Sequence, residues 1–245
     1  MTEVALTENQ LVFNHSAYDR FKGAEWFTSV LNCPILVIGT GGIGSWTSLL
    51  LARCGVELYL FDMDRVSDIN IAGQLFSDLQ VNKYKTEAIH ETIIDFCVEP
   101  NVTTWAEKYT ENSLTNNITI MGVDNMEARK VGFNNWLKHV KANPNERCLF
   151  IDGRLSASLV QIFCISSDKP EDIKNYQENH LPDDSQVPDE ECTNKQTSFC
   201  AAMIASHIVA FFTNWMNPHQ LPNSVPFCYE YLIPINYTTN TNSHG

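Results

Sequence analysis

Short unbroken apolar runs alternate along this chain with longer segments in which apolar positions recur every three or four residues. Ile35-Leu36-Val37-Ile38, Leu58-Tyr59-Leu60-Phe61, Ile118-Thr119-Ile120-Met121 and Cys148-Leu149-Phe150-Ile151 are too short for helices and lack the polar alternation of a half-exposed strand. They predict buried strands at 34–38, 57–61, 117–122 and 147–152, with a further strand at 101–105. Helical spacing predicts helices at 17–30, 42–54, 83–97, 125–141 and 197–216. Strands alternating with helices imply an α/β chain with a doubly wound, mostly parallel, Rossmann-like sheet. Leu159–Ile165 and Phe227–Ile233 read as an added antiparallel extension of that sheet.

The same pattern sets the expected organisation. Residues 1–235 form a single domain with a nucleotide-binding core over 33–152, and the polar stretch 236–245 is a frayed tail. From Asp168 to Glu191, nine acidic residues stand against two lysines, and Pro170, Pro182 and Pro188 interrupt the pattern. This stretch, 168–191, is expected to be a long acidic crossover loop. The apolar segment Ala201–Met216 contains Ser206, His207, Thr213 and Asn214, which favours a buried helix over a membrane span.

Composition narrows the function classes. At 245 residues and 44% hydrophobic content the chain can bury a large core. A net charge of −13 argues against a nucleic-acid partner, because phosphate backbones require clustered Lys and Arg. Eight cysteines are scattered through expected strands and helices, as reduced thiols of a cytoplasmic protein would be. There is no Cys-x-x-Cys pair, so no structural zinc is expected, and the first 30 residues do not have the form of a signal peptide. The seven histidines show no metal-ligand spacing, and the five tryptophans fall on apolar faces, as core packing would place them.

The first strand runs into Gly39-Thr40-Gly41-Gly42-Ile43-Gly44. Gly39, Gly41 and Gly44 fit G-x-G-x-x-G: a tight turn, a backbone that phosphate can approach, and close packing of helix on strand. Phosphate then meets a helix N-terminus, where unpaired N–H groups favour negative charge. Asp62 ends the second strand 18 residues beyond Gly44, where a carboxylate accepts hydrogen bonds from ribose hydroxyls. A nicotinamide-dependent oxidoreductase would account for the glycines and Asp62, but for nothing further along the chain.

Further along come Asp64-Arg65-Val66-Ser67-Asp68-Ile69-Asn70-Ile71-Ala72-Gly73-Gln74, Val81-Asn82-Lys83-Tyr84-Lys85 and Gly122-Val123-Asp124-Asn125-Met126-Glu127-Ala128-Arg129. In the order and spacing of these motifs, residues 17–216 resemble the ubiquitin-activating-enzyme-like superfamily of ThiF/MoeB/HesA type, which adenylates carboxylates. The resemblance implies ATP and Mg²⁺ as cofactors. It assigns Gly39, Gly41, Gly42, Gly44, Asp62, Asn70, Lys85, Asp124 and Asn125 to nucleotide binding, with Asp124 holding the metal. Arg20 would reach into the neighbouring subunit of a homodimer, and Arg20, Lys85 and Asp124 would serve catalysis. The implied substrate is the C-terminal carboxylate of a small ubiquitin-like or sulfur-carrier protein or peptide. Cys192 matches the position of a cysteine that takes up the acyl group as thioester in some relatives, with Cys200 a competing candidate. One departure stands out. Gly73 occupies a position where many members carry a phosphate-stabilising arginine, and Arg154 is a candidate replacement. A nucleotide-binding scaffold without turnover is the alternative that Gly73 leaves open.

Overall fold

The computed structural model describes residues 15–155, 159–182, 198–217 and 229–234. Seven strands form one sheet: β1 (Pro34–Ile38), β2 (Glu57–Phe61), β3 (Asn101–Trp105), β4 (Ile118–Met121), β5 (Leu149–Leu155), β6 (Leu159–Ser166) and β7 (Glu230–Pro234). Their order is β3-β2-β1-β4-β5-β6-β7. The first five are parallel, whereas β6 and β7 pair antiparallel. The expected doubly wound sheet and its antiparallel extension are both present.

The strands at the centre are apolar on both faces because helices cover both. On one side α2 (Gly42–Ala52), α3 (Lys85–Phe96) and α6 (Ser198–Met216) pack over Val37, Leu58, Leu60, Ile120 and Ile151. On the other, α4 (Met126–Ala142) and α5 (Pro170–Asn179) enclose Phe61, Met121, Phe150 and Phe163 with Phe133, Trp136 and Tyr176. The helix α6 is long and apolar enough to cross a membrane by length and composition. Here it is a core helix, with Ile204, Ile208, Phe211, Phe212 and Trp215 buried, and Ile204 and Ile208 beside Gly153 of β5.

Two expectations are corrected. The segment 17–30 is not one helix: a short 3-10 turn (Ser16–Tyr18) and α1 (Glu25–Val30) flank an irregular turn that ends at Gly23 and Ala24. The acidic stretch 168–191 is not a loop throughout, because α5 occupies Pro170–Asn179. Proline at the helix start lacks an N–H that would go unpaired anyway, and Glu171 and Asp172 in the first turn complement the helix dipole. Residues 183–191, Cys192 and the tail 236–245 lie outside the described residues.

Candidate functional site

The connections after β1 and β4 leave for opposite faces of the sheet, α2 to one side and α4 to the other. Such a topological switch point opens a crevice at the carboxyl ends of the strands, where ligands of open α/β sheets bind. Gly39 and Asp124 stand on its two walls.

Gly39 has φ 86°, and a Cβ there would lie 2.8 Å from Val123 Cγ1 and 2.9 Å from the Gly122 carbonyl carbon. Glycine is therefore needed both for the turn and for the approach of the β4 turn. At Gly44 a Cβ would overlap the Gly39 carbonyl oxygen. At Gly41 the nearest atoms to such a Cβ are the Gln74 side-chain amide atoms, 3.9 Å away. The three glycines thus divide into two that close the turn and one that leaves its outer face open. Gly41 caps α2 with no side-chain cap bond, so the first amides of that helix, including that of buried Gly42, remain donors for a ligand.

Asp62 ties β2 to this turn. One carboxylate oxygen accepts from the Thr40 amide at 2.7 Å and the Thr40 hydroxyl at 3.2 Å, and the other accepts from the Asp64 amide at 2.9 Å. Burial lifts the Asp62 carboxyl above the ordinary carboxylate value, while Lys85 and the Asp64 and Thr40 amides offset part of the rise. Lys85 opens α3 and is 8% exposed. Its Nζ donates to Asp64 Oδ2 at 2.8 Å, and its backbone amide donates to the Asp64 carbonyl. Asp64 was not among the expected site residues. Its signal in the sequence is the pair Asp62-Met63-Asp64 at a strand end.

Asn70 closes a capping box, its side-chain oxygen accepting from the Ser67 amide at 3.0 Å and hydroxyl at 2.9 Å. That is a turn-building role, and it leaves the amide NH₂ outside the cap. The following turn is held to α2 by the Leu75 amide donating to Ser45 Oγ, which brings Gln74 over Gly41. Gln74 is a second residue that sequence reasoning missed; its side-chain oxygen is buried without a hydrogen-bond partner among the described residues. Asn125 likewise has a structural part, capping α4 by accepting from the Ala128 amide at 2.8 Å and donating to Asp124 at 3.3 Å. Asp124 itself is exposed at the end of β4.

Arg20 is exposed, two residues from Tyr18, which lies among Arg53, Cys54 and Cys97 at the C-terminal ends of α2 and α3. An eleven-residue helix is about 16 Å long, so Arg20 sits roughly that far from the glycine turn at the other end of α2. Cys200 is buried in the first turn of α6. Burial pushes the Cys33 and Cys54 thiols up to about 11 and raises Cys97 and Cys148, which keeps these four protonated at neutral pH. Arg154 is committed: its Nε donates to Asp152 at 2.6 Å and its Nη2 to the His180 carbonyl at 2.6 Å. A cavity of about 310 Å³ lined by Cys33, Asn117, Arg147 and Trp215 lies at the N-terminal ends of β1 and β4, the end of a parallel sheet away from the crevice.

The sequence profile of the ThiF family matches residues 15–240. Ubiquitin-like modifier-activating enzyme 5 of Dictyostelium discoideum is 33% identical over 91 residues, covering 37% of this chain and 23% of that protein. The chain therefore matches well under half the length of this curated relative. A crystal structure of E. coli MccB with ATP is similar over 92% of this chain and 72% of its own, at TM-score 0.61 and 19% identity. E. coli tRNA N6-threonylcarbamoyladenosine dehydratase, TcdA, in complex with AMP is similar over 87% of this chain and 97% of its own, at TM-score 0.61 and 16% identity.

Proposed function

The chain belongs to the ThiF family, and from that premise we propose that it uses ATP to adenylate the C-terminal carboxylate of a small ubiquitin-like protein or a peptide. The observation that carries this reading is Lys85, a buried ammonium at the end of β2 that interacts with Asp64 and with Asp62, the carboxylate bound to the glycine turn. Phosphoryl chemistry needs such a cation to neutralise charge that develops on the phosphate oxygens. That an MccB structure contains ATP and a TcdA structure contains AMP supports the nucleotide. An MccB structure with MccA and the activating-enzyme relatives support a polypeptide carboxylate as substrate. A charge of −13 disfavours RNA in that place.

In this reading Asp62 accepts the ribose hydroxyls, the α2 amides and Gly41 receive the phosphates, and Asn70 and Lys85 contact them. A substrate carboxylate oxygen attacks the α-phosphorus, the bond to the bridging α–β oxygen breaks, and pyrophosphate leaves with the electron pair. Catalysis is then mainly alignment and neutralisation of charge on the phosphate oxygens. Among the described residues no group of three acidic, histidine or cysteine side chains could cage a metal. One exposed carboxylate, Asp124, fits a Mg²⁺ ion that takes its other ligands from phosphates and water. When bound, Mg²⁺ supplies charge neutralisation to the triphosphate. Arg20, a helix length from its own glycine turn, would act in the partner's site of a homodimer. Transfer of the acyl group to Cys192 with release of AMP would complete the sequence.

The test is ATP–pyrophosphate exchange with and without candidate small proteins or peptides. Exchange that requires both Mg²⁺ and a free C-terminal carboxylate is expected, and ATP binding without exchange for any partner would move the assignment to a scaffold. The scaffold reading rests on Gly73 and on the engagement of Arg154 by Asp152.

A pH dependence follows from Asp62. Because burial raises its carboxyl, protonation on acidification begins above the ordinary carboxylate range, and the charged acceptor for the ribose is lost there. Adenosine avoids the titration of the triphosphate and is the suitable probe. Its affinity should fall as pH is lowered through this range in the wild type and stay flat in Asp62→Asn; equal slopes in calorimetric titrations would refute the assignment.

A further inference from the structure

Beneath the Asp124 turn lies a charged cluster that the nucleotide chemistry leaves unused. Arg129 in α4 is 5% exposed, and Asp152 in β5 is fully buried. The Arg129 guanidinium donates to Asp152 Oδ1, to the Gly153 carbonyl at 3.2 Å and to the carbonyl of Val123, the residue preceding Asp124. Val123 lies two residues past Met121, the last residue of β4, so its carbonyl lies beyond the ladder between β4 and β5. The path of the turn is fixed there by a cation in place of a strand partner. A buried cation needs a counter-ion, and Asp152 supplies it while also accepting from Arg154 Nε at 2.6 Å and from the Tyr176 hydroxyl at 2.9 Å. Tyr176 belongs to α5, so this network reaches from the Asp124 turn to the helix that begins the acidic segment.

We infer that Arg129 is a positioning residue for the metal-binding carboxylate of Asp124, oriented by Asp152 and, through it, by Tyr176 and Arg154. The inference rests on the assignment of Mg²⁺ to Asp124. Outer-shell partners of metal ligands commonly change metal affinity by about 10-fold to 100-fold when replaced. A lysine at 129 keeps the charge, but its single nitrogen cannot span Asp152, Gly153 and Val123 as the planar guanidinium does.

The experiment measures, by calorimetry, ATP affinity as a function of Mg²⁺ concentration, together with affinity for adenosine in the absence of metal. Arg129→Lys should raise the Mg²⁺ concentration giving half of the metal-dependent gain by about 10-fold, with adenosine affinity unchanged. Tyr176→Phe removes one hydroxyl from Asp152 and keeps the ring in its aromatic packing, so it should shift the requirement in the same direction by less; it also serves if Arg129→Lys does not fold. An unchanged Mg²⁺ requirement in the folded variant, with Asp124→Ala abolishing metal dependence, overturns the positioning role. Metal dependence that survives Asp124→Ala instead overturns the assignment on which the role rests.

Discussion

Gly44→Ala should unfold or insolubilise the protein, with a loss of about 4 kcal/mol or more, a size reserved for a few severe mechanisms. The added methyl would overlap the Gly39 carbonyl oxygen and lie 2.8 Å from its carbonyl carbon. Both are backbone atoms of a turn already pressed against Gly122 and Val123, so no side chain can rotate away to make room. Relief would require α2 to lift from β1, exposing Val37 and Ile43 and loosening α6 on its outer side. Gly41→Ala is the informative contrast. Its methyl meets nothing nearer than the Gln74 amide at 3.9 Å, so the cost should stay near about 1 kcal/mol while ATP affinity falls, because the methyl occupies the face left open to phosphate. Denaturant melts and nucleotide titrations on the pair separate these outcomes. Equal stability losses would mean that the two glycines do not divide the labour of the motif as their surroundings indicate.

The division between Gly41 and Gly44 was legible in the sequence because it follows from the spacing of a strand, a turn and a helix. So were β1, β2, β4 and β5, whose apolar runs are short and bounded. In the acidic segment the charge outweighs the helical signals: Pro170, Glu171 and Asp172 at the start, then Ile173 and Tyr176 three apart on the buried side. The break within 17–30 turned on Gly23, a residue that a helix tolerates at about 1 kcal/mol relative to alanine and that periodicity alone does not exclude. Asn70 and Asn125 were identified as ligand contacts, yet their local hydrogen bonds build a turn and a helix cap. Which of their atoms remain for a ligand follows from the folded turn and cap, not from the residue types. The pairing of Arg129 with Asp152 had no sequence signal at all. It joins residues 23 apart through the registry of β4 with β5, where Met121 lies beside Asp152.

Lys85→Ala should reduce the rate of pyrophosphate exchange by about 10²–10³-fold, the loss seen when one preorganised stabiliser of transition-state charge is removed. A purely structural ion pair with Asp64 is the competing explanation, and its energetics argue against it. Asp64 keeps a side-chain exposure of 55%, so water screens the pair, and such pairs contribute about 0–1 kcal/mol. Against that gain, Lys85 is buried and occupies the first position of α3, where the positive end of the helix dipole opposes a cation. Placing an ammonium there is costly for the fold and useful only when negative charge arrives in the crevice. The loss should be large in this chain because Gly73 provides no second cation on the facing loop. Asp64→Asn separates the roles: it removes the pair but leaves the ammonium, and exchange should persist within a few-fold of wild type. Conversely, Gly73→Arg should raise the rate of Lys85→Ala more than that of the wild type, since a cation added to a depleted site restores more than one added to a charged site. Comparable rates for Lys85→Ala and Asp64→Asn would make Lys85 a structural residue and leave phosphate neutralisation to the helix amides and the metal.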